Sequence, residues 1–242
     1  GLSEPTFAKM AALSRQMNHF FSLWLPAFCA EKYPDTYTVF AGGDDFFLIG
    51  PWLQTQKLAA EMREQFRRYV AENAAITFSA GIAVIKPGLP PGKLSAYAEE
   101  ALEAAKAYPA NENEKRKQLG SKNSVCVYGQ VVSWQQWSGI QEAFERIGRL
   151  KEAYGLSTGF VYSMLQFCEQ AEAEKGGDIN AGMWRSRFAY RTRRFVNDSK
   201  SITDKNNGYA QLTEAFYQNG IEKLGAKYRI PLFNHFYLLR AK

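Results

Sequence analysis

The stretch YTVFAGGDDFFLI, Tyr37 to Ile49, decides how the rest of the chain is read. Tyr37 to Phe40 and Phe46 to Ile49 are short β-prone runs. Ala41-Gly-Gly-Asp-Asp45 joins them, so the pattern predicts a β-hairpin. Consecutive side chains of a strand point to opposite faces, so two adjacent carboxylates reach a common site only where the backbone turns. Gly42 and Gly43 permit such a turn and leave room beside it. Carboxylate oxygens suit a divalent cation such as Mg2+ or Mn2+, the kind of ion that phosphoryl transfer from a nucleoside triphosphate uses. The same four residues also fit a plain turn, with glycines supplying positive φ and aspartates meeting only water.

The flanks give the hairpin a context. Before it, Phe7, Met10, Leu13, Met17, Phe20, Phe21 and Trp24 recur at three- and four-residue steps. This predicts an amphipathic helix over Glu4 to Leu25 with Ser3 as a cap and a kink or interruption at Pro26. After it, Leu53 to Val70 predicts a second helix burying Leu58, Met62 and Phe66. Ile76 to Ile85, closed by Pro87 to Gly92, reads as a strand, and Leu94 to Ala107 as a helix. Asn111 to Lys122 is polar and reads as a surface loop, and Ser124 to Tyr128 as a last short strand. This order is that of an α+β, ferredoxin-like palm domain lacking its first strand, over residues 1–128. Residues 129–242 read as an all-α helical bundle domain, with the boundary between Gly129 and Val132. Its helices are expected from Trp134, at Ser157 to Glu174, Asn180 to Asp198, Tyr209 to Leu224 and Pro231 to Arg240. Gly176-Gly177 and Asn206-Asn207-Gly208 separate them.

Composition narrows the function classes. The net charge is +6 and its excess lies mostly beyond Tyr128, which favours a phosphate-rich or acidic partner and equally serves solubility. Cys29, Cys126 and Cys168 have no zinc-like spacing and suggest no disulfide framework. With no run of about 18 apolar residues, the expectation is a cytoplasmic protein with no membrane partner. His19 and His235 are the only histidines, so a histidine-aspartate nuclease centre is not expected within this chain.

The residues also carry a resemblance. VFAGGDDFFLIGPW (Val39 to Trp52), LSRQMNHFF (Leu13 to Phe21), FSAGIAV (Phe78 to Val84), AEEALEAAK (Ala98 to Lys106) and KNSVCVYG (Lys122 to Gly129) follow one another as in the large palm-containing subunit of type III CRISPR effector complexes. The helical tail resembles the same subunit's C-terminal domain. The resemblance implies a nucleotidyltransferase that converts ATP into cyclic oligoadenylate when target RNA is bound. It implies Asp44 and Asp45 as catalytic, metal-holding carboxylates and Gly42 and Gly43 along the phosphate path. It also implies that an upstream strand bearing a further acidic ligand completes the palm, and that guide RNA, target RNA and other effector subunits are partners. An inactive palm serving as scaffold and a related cyclic-dinucleotide synthase are the alternatives.

Supporting positions have two readings each. Ser79 could hydrogen-bond ribose or base, or simply let elements pack closely; Lys106 and Lys122 could neutralise triphosphate charge, or be solvated surface. Asn123 could position nucleotide or begin a strand. In WRSRFAYRTRRF, Trp184 to Phe195, helical spacing puts Trp184, Phe188 and Phe195 on a buried side. Arg187, Arg191 and Arg194 form a basic strip for RNA or a neighbouring subunit, or a solvated face.

Overall fold

A computed structural model describes residues 6–107 and 122–240. They divide into two compact units, one ending at Trp134 and the other beginning at Gln135. The first is α+β and the second all-helical. The division falls beyond the expected boundary at Gly129 to Val132. The reason is a strand that the sequence reading did not contain: Gln130–Ser133 folds back antiparallel on Ser124–Val127 through the positive-φ pair Tyr128 and Gly129.

The first unit opens with α1 (Phe7–His19), capped by Thr6, whose hydroxyl accepts from the Lys9 N–H. The expected cap, Ser3, lies outside the described residues. A π-helical segment, Phe20–Trp24, leads without a break into α2 (Leu25–Lys32). Pro26 therefore does not interrupt the helix. Its missing N–H removes the α-type donor for the Ser22 carbonyl, and the wider turn immediately before it accommodates that loss. The predicted apolar stripe is buried only in its later part. Phe20, Phe21 and Leu25 are core, whereas Phe7 is 90% exposed and Met10 is 59% exposed.

The hairpin follows as β1 (Tyr37–Gly42) and β2 (Asp45–Ile49), then α3 (Trp52–Tyr69), β3 (Ala80–Ile82), α4 (Pro91–Ala107), β4 (Ser124–Val127) and β5 (Gln130–Ser133). β1 and β2 form one sheet; β3, β4 and β5 form another, with β3 parallel to β4. The predicted strand Ile76 to Ile85 shrinks to three residues, because among the described residues β3 has a ladder on one edge only. Gly81 has a packing cause. A Cβ there would stand 2.2 Å from the Leu102 N and 2.6 Å from the Ala98 carbonyl oxygen, so α4 presses backbone to backbone on β3. The core joins Phe20, Phe21, Leu25 and Phe28 to Leu58, Met62 and Phe66 of α3, with Phe46, Leu48 and Phe78 packed against it. Of the expected polar loop Asn111 to Lys122, only Lys122 lies among the described residues.

The second unit begins at the second residue of α5 (Trp134–Tyr154), which is followed by α6 (Thr158–Lys175), a 3-10 turn (Ile179–Met183) and α7 (Trp184–Asp198). Next come α8 (Lys205–Leu212), a π-helical segment (Thr213–Glu222), a 3-10 turn (Gly225–Tyr228) and α9 (Arg229–Arg240). α6 is the central element, burying Phe160, Val161, Met164, Phe167, Cys168 and Ala171 among side chains of its neighbours. Asn206 to Gly208 is not a separator as expected. Asp204 caps α8 by accepting from the N–H groups of Asn206 and Asn207, and Gly208 sits inside the helix, where a Cβ would lie 2.6 Å from Ile202.

Candidate functional site

The hairpin register pairs Tyr37 with Ile49, Thr38 with Leu48, Phe40 with Phe47, Ala41 with Phe46 and Gly42 with Asp45, so Val39 is the extra residue of a bulge. Gly43 and Asp44 form the two-residue turn. Gly43 has φ +66° and Asp44 keeps a negative φ, the glycine-first arrangement that lets a short turn follow the twist of its strands. Phe46 stacks on Phe21 at 5.4 Å and Leu48 joins the core. By strand alternation Asp45 faces away from that core, and Asp44 stands at the tip. Both aspartates are exposed. Neither makes a side-chain hydrogen bond or ion pair among the described residues, where no group of three or more potential metal ligands occurs either.

Unpartnered carboxylates fit Mg2+ or Mn2+ by donor chemistry, and two of them leave most of such an ion's coordination to water, substrate or further ligands.

The turn is held from below by α1 and the π-helical segment. The Gly43 N–H donates to Asn18 Oδ1 at 2.9 Å, the Ser22 hydroxyl lies 2.9 Å from the same oxygen, and it also lies 3.3 Å from the Ala41 carbonyl oxygen. Sequence reading missed both residues. Their i, i+4 spacing on the polar side of an amphipathic helix was visible, but a contact across 25 residues has no local signal.

Ser79 and Asn123 are brought together, in contact with each other: the Asn123 N–H donates to Ser79 Oγ at 3.1 Å, and Asn123 has φ +75°. The Ser79 hydroxyl proton remains to donate elsewhere. Lys106 ends α4 in an ion pair with Glu103 at 3.1 Å. Its neighbour Ala105 accepts the Ser124 hydroxyl, which places Lys106 at the same end of the sheet as Asn123 and exposed Lys122. Phe46 and Phe78 touch at 6.3 Å, so Asp45 and Ser79, each adjacent in sequence to one of these rings, lie on neighbouring elements. Trp134, read from sequence as part of the helical stripe, pins this junction. Its indole N–H donates to the Phe78 carbonyl at 3.0 Å and its ring lies 5.6 Å from that of Phe78.

In the second unit the basic strip divides. Arg187 and Arg191 line an open groove of about 590 Å³ between α6 and α7 with Tyr162, Gln166, Gln170 and Tyr190. Arg194 is not among its lining and pairs with Asp198 at 3.6 Å. Trp184 and Phe188 are buried as predicted, while Phe195 is half-buried. His19 on α1 and His235 on α9 fall in different units.

An α+β unit with paired carboxylates on a glycine hairpin, followed by a helical unit, is the architecture of a palm-type protein. The chain belongs to the Cas10/Cmr2 family: the description "Cas10/Cmr2, second palm domain" matches residues 1–125. It is 32% identical over 143 residues to the Cas10/Csm1 (subtype III-A) single-strand-specific deoxyribonuclease of Methanocaldococcus jannaschii, covering 54% of this chain and 18% of that protein. It is 23% identical over 220 residues to the Streptococcus thermophilus counterpart, covering 88% and 26%. The chain thus spans about a fifth to a quarter of these relatives' length. Among solved structures, Csm1 of T. onnurineus superposes with TM-score 0.58 at 17% identity over 95% of this chain and 35% of that one. A Csm1-Csm4 cassette in complex with one ATP gives 0.56 at 18% identity over 93% and 32%. The chain is therefore a C-terminal portion of a Cas10-type subunit, a palm domain followed by a helical domain.

Proposed function

We propose that this chain is the part of a type III CRISPR effector subunit that polymerises ATP into cyclic oligoadenylate when the complex has bound target RNA. The observation that carries this reading is the pair Asp44 and Asp45, exposed and unpartnered on a turn built by Gly42 and Gly43.

Asp44 and Asp45 would hold Mg2+ or Mn2+, which would supply neutralisation of the triphosphate charge. Gly42 and Gly43 keep the approach to that turn open, since a Cβ on Gly43 would meet nothing within 4 Å and the nearest atoms to one on Gly42 belong to Phe40. Ser79 offers its hydroxyl proton to ribose or base, and Lys106, Lys122 and Asn123 serve to meet phosphate or nucleotide. The 3′-hydroxyl of one ATP forms a bond to the α-phosphorus of another, the bond to the pyrophosphate breaks, and the hydroxyl proton leaves to solvent. Catalysis rests on positioning and charge, with no protein nucleophile.

The remaining ligand and the remaining strand come from the upstream part of the same subunit. Guide RNA, target RNA and other effector subunits are the partners, with Arg187 and Arg191 as a contact surface, in the cytoplasm. The test gives the complete assembly ATP with Mg2+ or Mn2+, with and without target RNA, and separates the products. RNA-stimulated cyclic oligoadenylate supports the reading; a cyclic dinucleotide identifies the related synthase instead; no nucleotide product in any condition leaves a scaffold.

A further inference from the structure

We infer that Asn18, backed by Ser22, is a positioning residue that clamps the Gly43-Asp44 turn in the conformation that aims both carboxylates at one site. The inference rests on the functional reading above. In a two-residue hairpin the first turn residue's N–H points out of the ladder and needs another acceptor. Asn18 Oδ1 is that acceptor, at 2.9 Å. An amide nitrogen cannot accept this bond, so the Gly43 donor fixes which way the Asn18 amide faces. Ser22 stands 2.9 Å from the same oxygen and 3.3 Å from the Ala41 carbonyl on the rising strand, so its single proton is shared between clamp and strand.

The helix that carries the clamp is itself anchored. Phe20 and Phe21, between Asn18 and Ser22, are buried, and the Tyr69 hydroxyl donates to the Gln16 carbonyl at 3.0 Å. Packing gives the tip little support among the described residues: nothing lies within 4 Å of a Cβ built on Gly43, and both aspartates are exposed. A short, glycine-rich turn without packing has many conformations, and one rigid acceptor reduces them.

The experiment compares Asn18→Leu, which keeps size and loses the acceptor, with Asn18→Asp, which keeps an acceptor oxygen, in the complete assembly with target RNA. Asp44→Asn with Asp45→Asn is the site control. The readouts are initial rate of ATP consumption against Mn2+ concentration, KM for ATP, and thermal midpoint. The clamp predicts that Asn18→Leu raises the Mn2+ needed for half-maximal rate by about tenfold and lowers kcat, with KM for ATP and thermal midpoint close to wild type. It also predicts that Asn18→Asp restores most of the loss. Wild-type Mn2+ dependence in Asn18→Leu, beside an inactive site control, overturns the clamp and leaves the functional reading standing. A fall in rate that tracks a lowered thermal midpoint and is not rescued by Asn18→Asp reduces Asn18 to a fold residue and also overturns it. An active site control overturns the functional reading and the clamp together.

Discussion

At the scale of single residues, backbone conformation separates positions that look alike. Gly42 and Gly43 are adjacent in sequence, yet only Gly43 has a positive φ. Gly43→Ala is expected to lower stability by about 1 kcal/mol, and Gly43→Asn by less, in denaturant unfolding; equal stability of Ala and wild type would contradict the turn. His235 is a second case. It is buried with its Nε2 unpartnered, and burial followed by the charge of Lys151 pulls its pKa from 6.5 to about 4. Between those values the unfolded chain binds a proton that the folded chain excludes, so stability is full above pH 6.5 and falls as pH drops towards 4. Thermal midpoints at pH 7 and pH 5 measure this, and His235→Leu should flatten the dependence. The hairpin carboxylates were legible in the sequence because glycine, aspartate and flanking β-prone residues are local signals. Asn18 and the Ser79–Asn123 contact were not, since each depends on which elements meet in space.

At the scale of elements, the sequence showed kind better than extent. Helices with long apolar periods, such as α3 and α6, were legible within a few residues, because burial of one face or of the whole surface marks them directly. Strands are defined by partners, so Ile76 to Ile85 shortened to β3, and β5 went unseen because QVVS is too short to show alternation. Gly208 misled because a glycine after two asparagines resembles a break, whereas here it yields to Ile202. Gly81→Ala tests the closest of these approaches. With a Cβ 2.2 Å from backbone, it should cost about 3 kcal/mol or prevent folding of the first unit, read by thermal unfolding. Ser157, whose hydroxyl accepts from the Phe160 N–H at 3.2 Å, caps α6, and Ser157→Ala should cost about 1 kcal/mol.

At the scale of the whole molecule, the palm and the helical unit follow the order that the sequence suggested, and the dividing point moved because β5 joins the palm. Among the described residues the β-part of the palm consists of two separate sheets, and its hairpin turn carries two carboxylates. On the proposed reading, full activity belongs to the complete subunit, so residues 1–242 alone should turn over ATP at least about 100-fold more slowly than the assembly. The central claim is that the hairpin carboxylates hold the metal for ATP polymerisation. The most direct measurement is the yield of cyclic oligoadenylate from the complete, target-bound assembly carrying Asp44→Asn and Asp45→Asn, with target RNA binding measured in parallel. A drop of at least about 100-fold with RNA binding intact is the predicted result; wild-type yield from the doubly substituted assembly would contradict it.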